Sequence, residues 1–141
     1  MNVFCYGTLM WLDIWQHTVR SEYAVKDAYL KSFKCRKVKG ENFPALIRSH
    51  GDESDKNIVE GKVYFEINAE DFIRVQEHIG KQFEIIDGVC FIDGSGLPIS
   101  VKIFLWKAEH RSLLSSETWT KEWFEEKILY HYRKEMNRTL F

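Results

Sequence analysis

One stretch near the start of the chain, Val3-Phe4-Cys5-Tyr6-Gly7-Thr8-Leu9-Met10, constrains the fold more than any other. Val3 to Tyr6 is an uninterrupted apolar run, of the kind that reads as a short buried strand, and it stops abruptly at Gly7-Thr8. Glycine permits backbone angles that other residues avoid, and it lets a ligand come close to the main chain. Trp11, Ile14, Trp15 and Val19 then recur near helical spacing and predict a short packed helix. A strand, a glycine turn and a helix start direct several unpaired backbone N–H groups at one place, which suits a carboxylate or an oxyanion. A glycine after a strand is more commonly only a turn, so this reading needs companions elsewhere in the chain.

The rest of the sequence supplies an order of short strands. Tyr29, Phe33 and Cys35 fall at even intervals within Ala24 to Val38, with Lys34 and Arg36 between them, as in a strand with one buried face. The bases between Lys31 and Lys39 read as a solvated strand face, not a phosphate site, because the chain carries no excess of positive charge. Phe43-Pro44-Ala45-Leu46-Ile47 is a further strand with proline at its entrance, where a missing N–H does least harm. Ser49 to Lys56 is a polar loop. In Val59 to Ile67, Val63, Phe65 and Ile67 share one face. Asn68 reads as an N-cap, with Asp71 three residues on, opening a helix that carries Phe72, Val75 and Ile79 on one side. Gln82–Ile92 and Ile99–Trp106 flank the glycine-containing loop 93–98, as in a hairpin. Val101, Ile103 and Leu105 alternate with Lys102, Phe104 and Trp106, so both faces of that strand are partly apolar, which fits a small barrel.

The last third reads as helical. Ser115-Ser116 are placed to cap a helix from about Glu117 to Arg138, with acids toward its start and bases toward its end, the order the helix dipole favours. Trp119, Trp123, Phe124, Ile128, Tyr132 and Met136 give it an apolar side for packing on the barrel or on a second subunit. His17 reads as an edge histidine of the first helix. The expected architecture is α+β, a small mixed β-barrel of five to seven strands with flanking helices and a C-terminal helix outside it. It forms one domain over 1–141, with a core of about 1–107 and a helical extension of about 108–141.

Composition excludes several classes. In 141 residues, 45% apolar and 15% aromatic, there is material for a packed core. A net charge of −1 with mixed signs lacks the basic field of a nucleic-acid binder. Cys5, Cys35 and Cys90 are odd in number and lack metal-ligand spacing, which argues for reduced thiols over a disulfide framework or a zinc site. Cys5 lies beside the glycine turn, yet a thiol nucleophile needs a neighbouring base that the sequence does not identify. No apolar run approaches membrane-spanning length and no signal peptide is recognisable, so a soluble cytoplasmic protein is expected.

Tyr6-Gly7-Thr8-Leu9 at the end of the first strand resembles the signature of the gamma-glutamylcyclotransferase-like superfamily, which includes the plant avirulence-induced proteins and the gamma-glutamylamine cyclotransferases. Its companions are Ala28-Tyr29-Leu30, the proline-alanine strand at Phe43–Ile47, the strand Val59–Tyr64, and the acid-capped helix that follows. The resemblance covers roughly residues 1–107 and implies a small mixed barrel whose first loop holds the glutamyl end of a substrate through Tyr6, Gly7, Thr8 and Leu9. Family members typically read leucine-aspartate, two residues, glutamate, often glycine, then tyrosine and arginine. This chain reads Ile73-Arg74-Val75-Gln76-Glu77-His78-Ile79-Gly80-Lys81-Gln82-Phe83-Glu84-Ile85. With Phe83 in the place of the tyrosine, Glu77 falls on the catalytic acid, while Arg74 replaces the aspartate and Ile85 the arginine. With Gly80 aligned to the glycine, the acid position becomes Ile79.

The reaction the resemblance implies is cyclisation of a gamma-glutamyl amine or peptide: the substrate's α-amine attacks its own γ-carbonyl and releases an amine and 5-oxoproline. Glu77 would carry the proton, and no metal or organic cofactor is called for. On a regular helix Glu77 points away from the Phe72, Val75 and Ile79 face, so a solvated surface glutamate is the competing reading. Two alternatives from other classes stand beside the enzyme. One is a catalytically inactive relative that binds a small ligand; the other is a partner-binding protein that uses the tryptophan-bearing C-terminal helix, through which an oligomer is also possible.

Overall fold

The computed structural model describes residues 1–138. Five strands close into a barrel: β1 (Val3–Cys5), β2 (Val25–Lys31), β5 (Ile58–Tyr64), β6 (Phe83–Ile92) and β7 (Pro98–Trp106), in the order β1-β5-β2-β6-β7. All neighbours are antiparallel except β1 and β7, which meet in parallel where Val3 faces Lys102. A second sheet, in the order β4-β3-β8, is made of β3 (Phe33–Val38), β4 (Pro44–Arg48) and β8 (Leu114–Thr118). Four helices flank them: α1 (Leu12–Thr18), α2 (Ala69–Ile79), α3 (Lys121–Lys127) and α4 (Leu129–Arg138). The mixed barrel with flanking helices is therefore the architecture the alternation in β7 and the short strand runs predict, at the five-strand end of the expected range.

Two elements differ from expectation, each for a local reason. The run Ala24–Val38 is two strands, because Ser32 takes a left-handed φ of 66° and sends β3 out of the barrel into the second sheet. The long C-terminal helix is interrupted twice. Residues 114–118 are extended and pair with β3 (Val38 opposite Leu114, Arg36 opposite Thr118), so Ser115 and Ser116 lie in a strand and cap nothing. Thr120 is the cap instead, its side chain accepting from the Trp123 N–H, and the helical run breaks again at Ile128. Trp119 explains the delay: it is buried, and its indole N–H donates to the Asn42 carbonyl at 2.8 Å, holding β8 to the β3–β4 connection. Trp123 is half-buried under the Lys37 ammonium, 4.1 Å from the ring centroid, so the tryptophans form no open patch.

One carboxylate among the described residues is built into the core. Asp71, in the first turn of α2, is fully buried. Its carboxylate accepts from the backbone N–H groups of Arg20 and Ser21, from the Tyr23 hydroxyl at 2.6 Å and from Arg74 at 2.7 Å. Asn68 caps the helix by accepting from the Asp71 N–H, as the sequence predicts, but the Asp71 side chain ties α2 to the α1–β2 connection. Burial alone would raise the Asp71 pKa, and the four donors outweigh it, holding the carboxyl at about 2, below the usual 3.8.

Replacing Asp71 with alanine leaves those donors without their acceptor and should cost about 3 kcal/mol, read from urea denaturation. Because the folded-state pKa is depressed, the carboxylate's contribution is complete above the unfolded value and declines as pH falls toward 2. The wild type should lose stability across that window, and Asp71→Asn should show a flatter acid limb.

Candidate functional site

The opening strand ends where the sequence places its turn. Thr8–Met10 form one turn of 3-10 helix behind Gly7, and no side chain caps it. The Met10 N–H returns to the Gly7 carbonyl at 3.0 Å, while the N–H groups of Thr8 and Leu9 stand at the head of the turn without an intrahelical acceptor. The turn is fixed from below. Tyr64 of β5 stacks on Trp15 of α1, with centroids 3.6 Å apart, and donates its hydroxyl to the Leu9 carbonyl at 2.7 Å. Tyr6 donates to the Phe104 carbonyl of β7 at 2.5 Å, so its phenol serves the barrel while its ring and backbone remain in the site wall.

Glycine is required at position 7 for a reason the sequence does not show. Its φ is −119°, which other residues can adopt, but a Cβ there would stand 2.9 Å from Pro44 Cδ and 3.0 Å from Pro44 Cγ. The proline at the entrance of β4 fills the space a side chain at position 7 would need.

Above the turn lies a cavity of about 260 Å³. Its floor is Phe4 to Leu9, one wall is the β3–β4 connection from Glu41 to Pro44, and another is the end of α2 with His78 and Ile79. Phe83 and Phe104 line it from the barrel, and Tyr132 of α4 closes it. The volume lies just below the roughly 300–1,000 Å³ of drug-sized sites, which suits a ligand of amino-acid size. A larger groove of about 610 Å³ sits elsewhere, between the β2–β5 face and α3–α4, where Lys62 pairs with Asp27 and Arg133 with Asp13.

The four loop residues expected to bind a ligand, Tyr6, Gly7, Thr8 and Leu9, all line the cavity. Glu77, expected as the proton carrier, is exposed and is not part of its lining. The helix explains this. Alpha-helical geometry runs unbroken to Ile79 and ends at Gly80, whose φ of 101° is one that glycine tolerates. Val75 is buried and Ile79 lines the cavity, and Glu77 lies about 160° round the helix from each at 3.6 residues per turn. Ile79 therefore stands where the alternative alignment puts the acid position. Of the departures from the family pattern, Arg74 is spent on Asp71, and Ile85 is exposed on β6.

Three groups in the wall were not singled out from the sequence. His78 Nε2 lies 3.1 Å from the Thr8 hydroxyl. The residue as a whole is exposed at the end of α2, but partial desolvation of its ring and nearby His17 pull its pKa below the usual 6.5, which leaves the imidazole neutral at neutral pH. Tyr132 sits on the apolar side of the C-terminal segment; burial raises its pKa and its contact with the Thr8 hydroxyl partly opposes that. Among the described residues Glu41 is the one carboxylate in the lining, and it is exposed at the rim. Cys5 also lines the cavity, with a thiol pushed far up by burial, so it is not a nucleophile at neutral pH. Among the described residues no group of three or more histidine, cysteine or acidic side chains could hold a metal ion, and no helix is long and apolar enough to cross a membrane.

The closed five-stranded mixed barrel with its side sheet is a fold shared with solved proteins. An Arabidopsis thaliana protein determined in solution is similar over 98% of this chain and 82% of its own, with a TM-score of 0.72 and 20% identity. A protein described as a gamma-glutamyl cyclotransferase is similar over 97% and 86%, with a TM-score of 0.63 and 16% identity. An AIG2-like protein of Mus musculus is similar over 86% and 88%, with a TM-score of 0.58 and 18% identity. No curated protein matches in sequence. The sequence profile described as gamma-glutamyl cyclotransferase, AIG2-like, matches residues 3–121, past the expected limit of about 107. This chain belongs to that family.

Valine at position 7 should cost about 1–3 kcal/mol through overpacking against Pro44. In a Pro44→Ala background the same substitution should cost clearly less, measured by a double-mutant cycle in urea. Equal costs in the two backgrounds would mean that another neighbour sets the requirement.

Proposed function

We propose that this chain binds the γ-glutamyl end of a small amine or peptide in the cavity behind the Tyr6–Leu9 turn. One observation carries the reading: all four turn residues line a single cavity of amino-acid size, with backbone N–H groups free of intrahelical acceptors at its floor. A γ-glutamyl group presents a carboxylate and an amine at one end, and such N–H groups suit the carboxylate. The family relationship supplies the substrate class. Three free thiols support a reducing, cytoplasmic setting.

Cyclisation to 5-oxoproline needs a proton carrier within hydrogen-bond reach of the attacking amine. Glu77 could take that part only if the last turn of α2 unwound, and Ile79 fills the corresponding wall. The site therefore holds a γ-glutamyl group without depending on Glu77 for its chemistry.

Calorimetric titration with a panel of γ-glutamyl amines and dipeptides, using α-glutamyl isomers as controls, tests it. The γ-linked compounds should bind and the α-linked ones should not, and Glu77→Gln should bind as the wild type does. If Glu77→Gln keeps binding but loses a wild-type release of 5-oxoproline, the glutamate is the proton carrier after all. If no γ-glutamyl compound binds, the site has been misread.

A further inference from the structure

We propose that His78, acting across the Thr8 hydroxyl, is the proton carrier for cyclisation of a γ-glutamyl group held in this cavity. The inference rests on the binding reading above and goes beyond it by assigning the chemistry to an imidazole at the end of α2.

Geometry comes first. His78 and Thr8 come from elements 70 residues apart in sequence and meet at 3.1 Å, Nε2 to Oγ1, inside the cavity lining. Thr8 is buried at the head of the turn proposed to hold the glutamyl carboxylate, so its hydroxyl would link a ligand bound there to the imidazole. Tyr132 closes the same corner from α4 and also meets the Thr8 hydroxyl. The helix that turns Glu77 outward brings the next residue, His78, to the cavity, and Ile79 beside it supplies an apolar wall.

The other titratable groups leave the part to His78. Cys5 and Tyr6 on β1 and the turn, and Tyr132 on α4, all have pKa values raised by burial and stay protonated at neutral pH. Glu41, on the β3–β4 connection, is exposed at the rim, as His78 is, but of the two only His78 is hydrogen-bonded to the turn. His17 of α1 is near enough to lower the His78 pKa but does not line the cavity. A neutral imidazole with a depressed pKa is ready to accept a proton at neutral pH, which a general base requires.

The step balances without a co-reactant. The neutral α-amine nitrogen of the ligand bonds to its own γ-carbonyl carbon and becomes acidic as it does so. It passes one proton to the Thr8 oxygen while the Thr8 hydroxyl proton moves to His78 Nε2. The imidazolium returns that proton, by the same path, to the leaving nitrogen as the γ-carbon–nitrogen bond breaks. The products are 5-oxoproline and a free amine, with the protein unchanged.

The test pairs two assays on the full chain, calorimetric binding of γ-glutamylmethylamide and release of 5-oxoproline from it across pH 5–9. The wild type should bind it and release 5-oxoproline, with kcat falling on the acid side as His78 becomes protonated. His78→Gln should bind as the wild type does, lose at least about 100-fold in kcat and lose the acid limb. Thr8→Val should lose turnover likewise and Thr8→Ser should recover it, which guards against a folding defect in the histidine variant. His17→Gln should keep the limb but move it to higher pH, since removing that neighbour lets the His78 pKa rise. Binding without any 5-oxoproline overturns the proton-carrier role and leaves the binding reading standing. Turnover with an unchanged acid limb in His78→Gln overturns it as well. Absence of binding by the wild type defeats both.

Discussion

The contact of Pro44 with Gly7 is the constraint on which the site depends. It joins the end of the first barrel strand to the first residue of β4, and so fixes where the side sheet meets the barrel mouth. With no Cβ at position 7 the proline ring rests on the backbone, and the β3–β4 connection from Glu41 to Phe43 becomes a cavity wall. A side chain there would push this wall away from the turn, because close-packed interiors absorb added atoms only by moving neighbours. A comparable approach recurs one strand over, where a Cβ on Gly61 would run into the Cys5 carbonyl, so β1 lies hard against β5.

Around that contact the turn is held by polar groups that each have a partner. Trp15 positions Tyr64, Tyr64 holds the Leu9 carbonyl, and Tyr6 bonds to the neighbouring strand β7. Asp71 pins α2 to the chain leaving α1, which fixes the approach of the His78–Ile79 end to the cavity. No buried side-chain nitrogen or oxygen among the described residues lacks a hydrogen-bond partner. That accounting matters because an unsatisfied buried group costs about 1–3 kcal/mol, enough to loosen a turn this short. The C-terminal helices add the last wall: the Arg133–Asp13 pair, at 2.8 Å, ties α4 to α1 one residue beyond Tyr132. Its geometry is specific, although an exposed pair of this kind adds little stability.

Much of the fold was legible because its signals are local. The alternation in β7, the glycine loop before it, and Asn68 at the head of α2 each follow from spacing or cap chemistry within a few residues. The Tyr6–Leu9 turn was legible for the same reason. What failed to show was decided by partners distant in sequence. Ser32 turns the chain in a conformation serine does not advertise, and residues 114–118 are extended because β3 is there to pair with them. The role of Gly7 depends on Pro44, and that of Tyr132 depends on how α4 returns over the turn. Helical geometry alone anticipated that Glu77 would face away from Phe72, Val75 and Ile79. His78 could not be found that way, since nothing in the sequence brings it to Thr8.

The central claim is that the Tyr6–Leu9 turn and its cavity hold a γ-glutamyl group. The most direct measurement is a backbone amide NMR titration of the 15N-labelled protein with γ-glutamylmethylamide. The account predicts saturable shifts concentrated at Gly7, Thr8 and Leu9, with smaller ones at Asn42, His78 and Tyr132 around the cavity. Shifts concentrated instead along the larger groove at Asp27, Lys62 and Lys121, with the turn amides unmoved, would contradict it.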